Sequence, residues 1–134
     1  MANLTLMDAF ARYGARPSHR LRGVSAIAED GSLVLSCLAE HFHRHAPGVL
    51  RYEDTVSREP NDEQRKNLLS QHLKLASEGQ LPVRMVVVTA PNEGKATATI
   101  HVRADLVGRI TKFDGDHFII DFTREAAAPA TRRA

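Results

Sequence analysis

The chain has no tryptophan, two tyrosines and five phenylalanines in 134 residues. That leaves few rings for a base-stacking surface, which normally needs several exposed ones, and it predicts a core of Leu, Val, Ile and Ala. The single cysteine, Cys37, excludes an internal disulfide. Its place in the apolar run 33–38 suits a small buried hydrophobe in a reducing compartment. No apolar run approaches the roughly 18 residues that span a bilayer, and the N-terminus lacks the charged and apolar regions of a signal peptide. The sequence therefore reads as cytoplasmic, without a membrane partner. A large excess of one charge is also missing. The isoelectric point is near 9.0, yet Arg124, Arg132 and Arg133 against Glu125 supply the whole formal charge of +2. The first 123 residues are neutral, whereas a protein that grips many duplex phosphates usually carries more positive charge.

What is present is enough apolar content, 43% of residues, for a real core in a chain of single-domain length. Thr5 and Asp8 open a short helix with Leu6, Phe10 and Tyr13 at helical spacing and Gly14 as its stop. Apolar runs at 24–28 and 33–38 flank Glu29-Asp30-Gly31-Ser32, a hairpin signature. A rival reading makes 33–43 a helix capped by Ser32, since Val34, Leu38 and Phe42 also fit a spacing of four. The hairpin is preferred. Residues 46–60 read as a long connector around Pro47-Gly48, with a short extended piece at 49–52. A second helix follows, capped by Asn61 with Gln64 completing the box, its apolar face Leu68, Leu69, His72, Leu73 and Ala76, and its stop at Gly79. Val83 to Val88 is apolar on both faces except at Arg84, as a central strand is. Residues 96–103 alternate as a half-buried strand, and 107–122 form a hairpin turning at Asp114-Gly115-Asp116.

The expected fold is α+β, a mostly antiparallel sheet of about five to six strands with two helices in the order α-β-β-α-β-β-β-β. No strand–helix alternation points to a parallel nucleotide-binding sheet. Residues 1–123 form one domain in this reading, and 124–134, Ala-rich and interrupted by Pro129, form a disordered tail. The "DGSLVLS" turn and strand within 25–42, the helix leading into "LPVRMVVV", and the closing hairpin resemble a group of small uncharacterised proteobacterial proteins often found on phages and plasmids. The resemblance spans about residues 4–122 and rests on hydrophobicity patterns. The group tends to have tryptophans in its first hairpin and this chain has none. The resemblance brings no site residues and implies an accessory role in mobile-element biology.

Two segments carry candidate chemistry. His41, His43 and His45 alternate along one extended stretch, with Cys37 four residues earlier in the same phase, a donor set that suits zinc. The histidines would nevertheless extend about 13 Å end to end, so a single ion needs the chain to bend. No cofactor is expected. Arg12, Arg16, Arg20 and Arg22 form a basic stretch with no acid between Asp8 and Glu29. Arg103, Arg109 and Lys112 lie on the predicted outer face of the late strands. If the two sets meet in space they form a patch for phosphates or an acidic protein surface.

Catalytic signatures are absent. There is no nucleophile elbow, phosphate-binding glycine loop, dinucleotide fingerprint or zinc-protease helix motif. Glu53 and Asp54 point oppositely on a strand, while Asp62 and Glu63 suit a helix start. A nuclease centre needs such carboxylates to converge. Ser57, His72 and Asp105 make a triad only on paper. The sequence thus points to a non-enzymatic binding protein. One reading is a nucleic-acid-associated accessory factor of a mobile element. Others are a protein-binding accessory factor or inhibitor, expected as a homodimer, and a small metal-dependent nuclease.

Overall fold

A computed structural model describes residues 5–15, 25–58, 63–89 and 99–124. The basic residues Arg16, Arg20 and Arg22, the Asn61 cap and the tail from 125 onward lie outside these segments. The elements are α1 (Leu6–Ala11), β1 (Ser25–Ile27), β2 (Leu33–Leu38), a 3-10 turn (Ala39–His41), β3 (Phe42–Ala46), β4 (Val49–Thr55), a second 3-10 turn (Val56–Arg58), α2 (Glu63–Gly79), β5 (Val83–Thr89), β6 (Thr99–Val102), β7 (Leu106–Phe113) and β8 (His117–Arg124). The class is α+β, as the sequence predicts, but the sheet has eight strands.

Local signals place several of these elements. Thr5 accepts a hydrogen bond from the Asp8 amide at 3.0 Å, and Gly14 ends α1 with φ +78°. Gly31 takes φ +90° in the first turn, where the Asp30 carboxylate accepts the Ser32 amide at 2.9 Å. Residues 33–38 are therefore a strand antiparallel to β1, and the helical alternative is excluded. Asp114 likewise accepts the amides of Asp116 and His117 in the β7–β8 turn. Helix α2 does not use Gly79 as its left-handed stop. Gln80 takes that role with φ +51°, its side-chain amide donating to the Ser77 carbonyl at 2.9 Å.

Within the connector expected at 46–60, the short extended piece expected at 49–52 is a full strand, β4, and His43 and His45 lie on β3. Strand β4 alternates correctly, with Leu50, Tyr52 and Asp54 inward and Arg51, Glu53 and Thr55 outward. The third inward position, however, is an acid. Asp54 is 6% exposed and tolerates burial because the Tyr52 hydroxyl (2.7 Å) and the Thr55 amide (2.8 Å) donate to its carboxylate.

The strand order is β1-β2-β5-β7-β8-β4-β3, with β6 pairing with β5. Every pairing is antiparallel except β2 with β5. β2 holds one edge of β5 along almost its whole length. The other edge is shared: β7 touches it at Val83↔Gly108, and β6 takes Val86 to Thr89. β2 runs into β3 through only three residues, although four strands separate them in the sheet order. The sheet must therefore coil until its far wing meets the end of β2, where the Leu38 amide donates to the Tyr52 hydroxyl at 3.1 Å.

The concave face is packed by Leu69, Leu73 and Ala76 of α2 against Leu33, Leu35, Cys37, Met85, Ile110, Phe118, Ile120 and Phe122. Ala9 and Phe10 of α1 cover Ala26, Val34 and Val86 on the opposite face. The core is not purely aliphatic, because Phe42, Tyr52, Phe118 and Phe122 adjoin one another with ring centroids 4.8 to 6.2 Å apart. Among the described residues no helix is long and apolar enough to cross a membrane.

Candidate anion-binding cleft

Helix α2 fills only part of the concave face. Toward the ends of β2 and β5 the coil stays open as a cleft with two adjoining compartments. One, of about 290 Å3, is lined by Arg44, Gly48, Val49, Leu50, Arg103, Leu106, Phe122 and Arg124. The other, of about 210 Å3, is lined by Ala39, Phe42, Leu50, Met85, Val87, His101 and Arg103. Leu50 and Arg103 border both, so the apolar compartment continues into the arginine-bearing one.

Strand phase puts the arginines there. Arg44 stands opposite Leu50, an inward position. Arg124 continues the inward series Phe118, Ile120, Phe122 and stands opposite Leu106. Both are exposed because they sit where their strands leave the core. Arg103 follows β6 in the turn to β7 and is held by Asp105 through two bonds of 3.0 and 2.9 Å. The Asp105 carboxyl is lowered below its usual range, chiefly by the bond from Arg103, with Arg124 adding to the effect. Among the described residues Arg44, Arg103 and Arg124 thus line one compartment, with Asp105 bonded to Arg103 beside it.

Of the sequence-predicted basic residues that are described, only Arg103 lines this cleft. Arg109 and Lys112 lie on the convex face of β7, opposite Asp121 and Ile119. Arg12 borders a separate cavity of about 240 Å3 with Tyr13, Asp30, Arg84 and Ala104. The two described parts of the expected patch meet only at the 103–105 turn, one on each side of it. Arg44, Arg124 and His101 were missed. The available signal was an arginine in the inward phase of a strand, clearest at position 124.

The histidines and Cys37 do not form the donor set their spacing implies. Cys37 is fully buried in the core. A 3-10 turn carries His41 out of the phase of β3, with its Nδ1 3.4 Å from Asp54 and unbonded. His43 lies 3.4 Å from Glu53 on the convex face, and a register shift between Arg44 and Ala46 displaces His45. Among the described residues no group of three or more His, Cys, Asp or Glu side chains is arranged to hold a metal ion.

The carboxylates do not converge either. Glu53 lies between His43 and His117 on the convex side, Asp54 is internal, Glu63 is exposed at the start of α2, and Asp62 lies outside the described residues. Ser57, His72 and Asp105 are separate: Ser57 bonds Asp116, Asp105 bonds Arg103, and His72 Nδ1 lies 2.7 Å from the buried hydroxyl of Ser25. No family model matches the chain, and no curated protein or solved structure matches it.

Proposed function

We propose that this protein is a non-enzymatic binding protein whose working surface is the arginine-rimmed cleft, and that its partner is an acidic stretch of another protein. The observation that carries this reading is the convergence of Arg44, Arg103 and Arg124, from three parts of the chain, over an apolar floor. Guanidinium forks take carboxylates through paired hydrogen bonds, and an open apolar floor accepts side chains beside them. Of the two phenylalanine rings at the cleft, Phe122 is buried and Phe42 is half-buried, which leaves little platform for stacked bases.

A nucleic-acid role is the second reading, because the same arginines suit phosphates, and it agrees with the mobile-element role the resemblance implies. A metal-dependent nuclease has no such support, since Glu53 and Asp54 face opposite sides of β4.

Anisotropy titrations with a fluorescein-labelled oligoglutamate and a labelled single-stranded thymidine oligomer test the proposal. The oligoglutamate should bind at low salt, weaken at physiological salt, and lose about tenfold in affinity in the Arg44→Gln, Arg124→Gln double variant. Arg109→Gln, on the convex face, should leave binding unchanged. Binding of the oligomer alone would replace the protein partner by nucleic acid. Binding of neither probe would remove the cleft as a polyanion site.

A further inference from the structure

Among the described residues the sheet has a gap beside this cleft. β7 and β8 pair as far as Leu106↔Arg124. Beyond that point the line of β7 passes through the 103–105 turn into β6, which holds β5 on one side. Among the described residues nothing pairs with the other side of β6. His101 of β6 and the following Arg103 line the cleft together with Arg124. One face of β6 is already covered, with Ile100 and Val102 packed against the α1 cluster. The face bearing His101 and Arg103 is the one turned to the cleft.

We propose that the open edge of β6 takes a guest strand, an extended segment of a partner protein in which an apolar residue and a carboxylate stand two positions apart. The inference rests on the cleft being the binding surface and adds how it reads its partner. An added strand gains main-chain hydrogen bonds from an edge, and every second side chain falls on one face. On the cleft face, positions two apart are separated by about 6.6 Å. That step carries one side chain into the compartment of Ala39, Phe42, Met85 and Val87 and the next to the arginines. The apolar compartment alone does not choose between an acyl chain and a peptide; the unpaired backbone edge favours the peptide. The three arginines that line the cleft, Arg44, Arg103 and Arg124, favour an acidic guest over a basic one.

The test uses two fluorescein-labelled peptides of equal composition, otherwise threonine. In one, a leucine and two glutamates share the same parity; in the other, the leucine is shifted by one position and faces away from the glutamates. The in-phase peptide should bind about tenfold more tightly than the shifted one. It should also slow hydrogen exchange at the outward-facing amides of Thr99–Val102, and N-methylation of its pairing amides should abolish both effects. Ala39→Leu, which narrows the apolar compartment, should weaken the in-phase peptide more than it weakens oligoglutamate. Near-ultraviolet circular dichroism and a thermal melt report whether that variant keeps the fold; if it does not, His101→Glu serves instead, placing a like charge on the cleft wall and weakening both probes. Equal affinity for the two peptides, or unchanged exchange in β6, overturns strand addition while leaving an arginine cleft that binds by charge alone. Failure of oligoglutamate as well removes both readings.

Discussion

The Tyr52 hydroxyl joins the closing seam of the coil, accepting from the Leu38 amide and donating to Asp54. Burial and the adjacent carboxylate push its ionisation well above the ordinary tyrosine range, so it stays a donor at any physiological pH. Tyr52→Phe removes one partner from a half-buried amide and one from a buried carboxylate, and should destabilise the protein by about 1–3 kcal/mol. Urea denaturation should show a lower midpoint with an unchanged slope, whereas an unmoved midpoint would mean that this contact carries no net stability. The same residues explain what was hidden in the sequence. An acid at the third inward position of β4 breaks the apolar alternation that marks a strand, and nothing near it in the chain announces the tyrosine that satisfies it. Arg124 is obscured differently: it lies in phase with Phe118, Ile120 and Phe122 but adjoins the Ala-rich sequence that follows.

At the scale of elements, α2 and β1 are tied by the 2.7 Å contact between His72 and Ser25. Burial lowers the His72 pKa below its ordinary value of 6.5. The unfolded chain therefore takes up a proton at a pH where the native helix resists it. The stability this histidine contributes is complete above about pH 6.5 and is lost as pH falls through its lower native value. Thermal melts at pH 7 and pH 5 should show a smaller loss on acidification for His72→Gln than for the unmodified protein; equal losses would exclude His72 as the source. Elements with their own start and stop chemistry were legible: α1 from Thr5 and Gly14, the first hairpin from Asp30-Gly31, the last from Asp114. β3 and β4 were legible only in part, as an extended histidine stretch and a short piece at 49–52, because β4 is defined by β8, about 70 residues away in the chain, and β3 is an exposed edge with little apolar pattern to read.

For the whole molecule, the decisive feature is the narrow junction between wings, Val83↔Gly108. Gly108 is there for space. A Cβ at this position would lie 2.7 Å from the Phe122 ring and 2.8 Å from Ile120, so Gly108→Ala should cost about 1–3 kcal/mol through overpacking. Chemical denaturation at neutral pH measures it, and a variant as stable as the parent would mean that the wings part without penalty. The borders of the coiled sheet carry a different consequence, for self-association. β1 is only three residues long, and β3 presents His43, Arg44 and His45 to solvent across a register shift. Short, charged or irregular borders are poor templates for stacking copies into fibres. β6 is nearly as short but keeps a regular register, and among the described residues its second edge is unpaired, so in a concentrated or partly unfolded preparation the hazard of aggregation concentrates at residues 99–102. Arg103, at the end of that strand, then acts as a gatekeeper: a second copy brings the same positive charge, and like meets like.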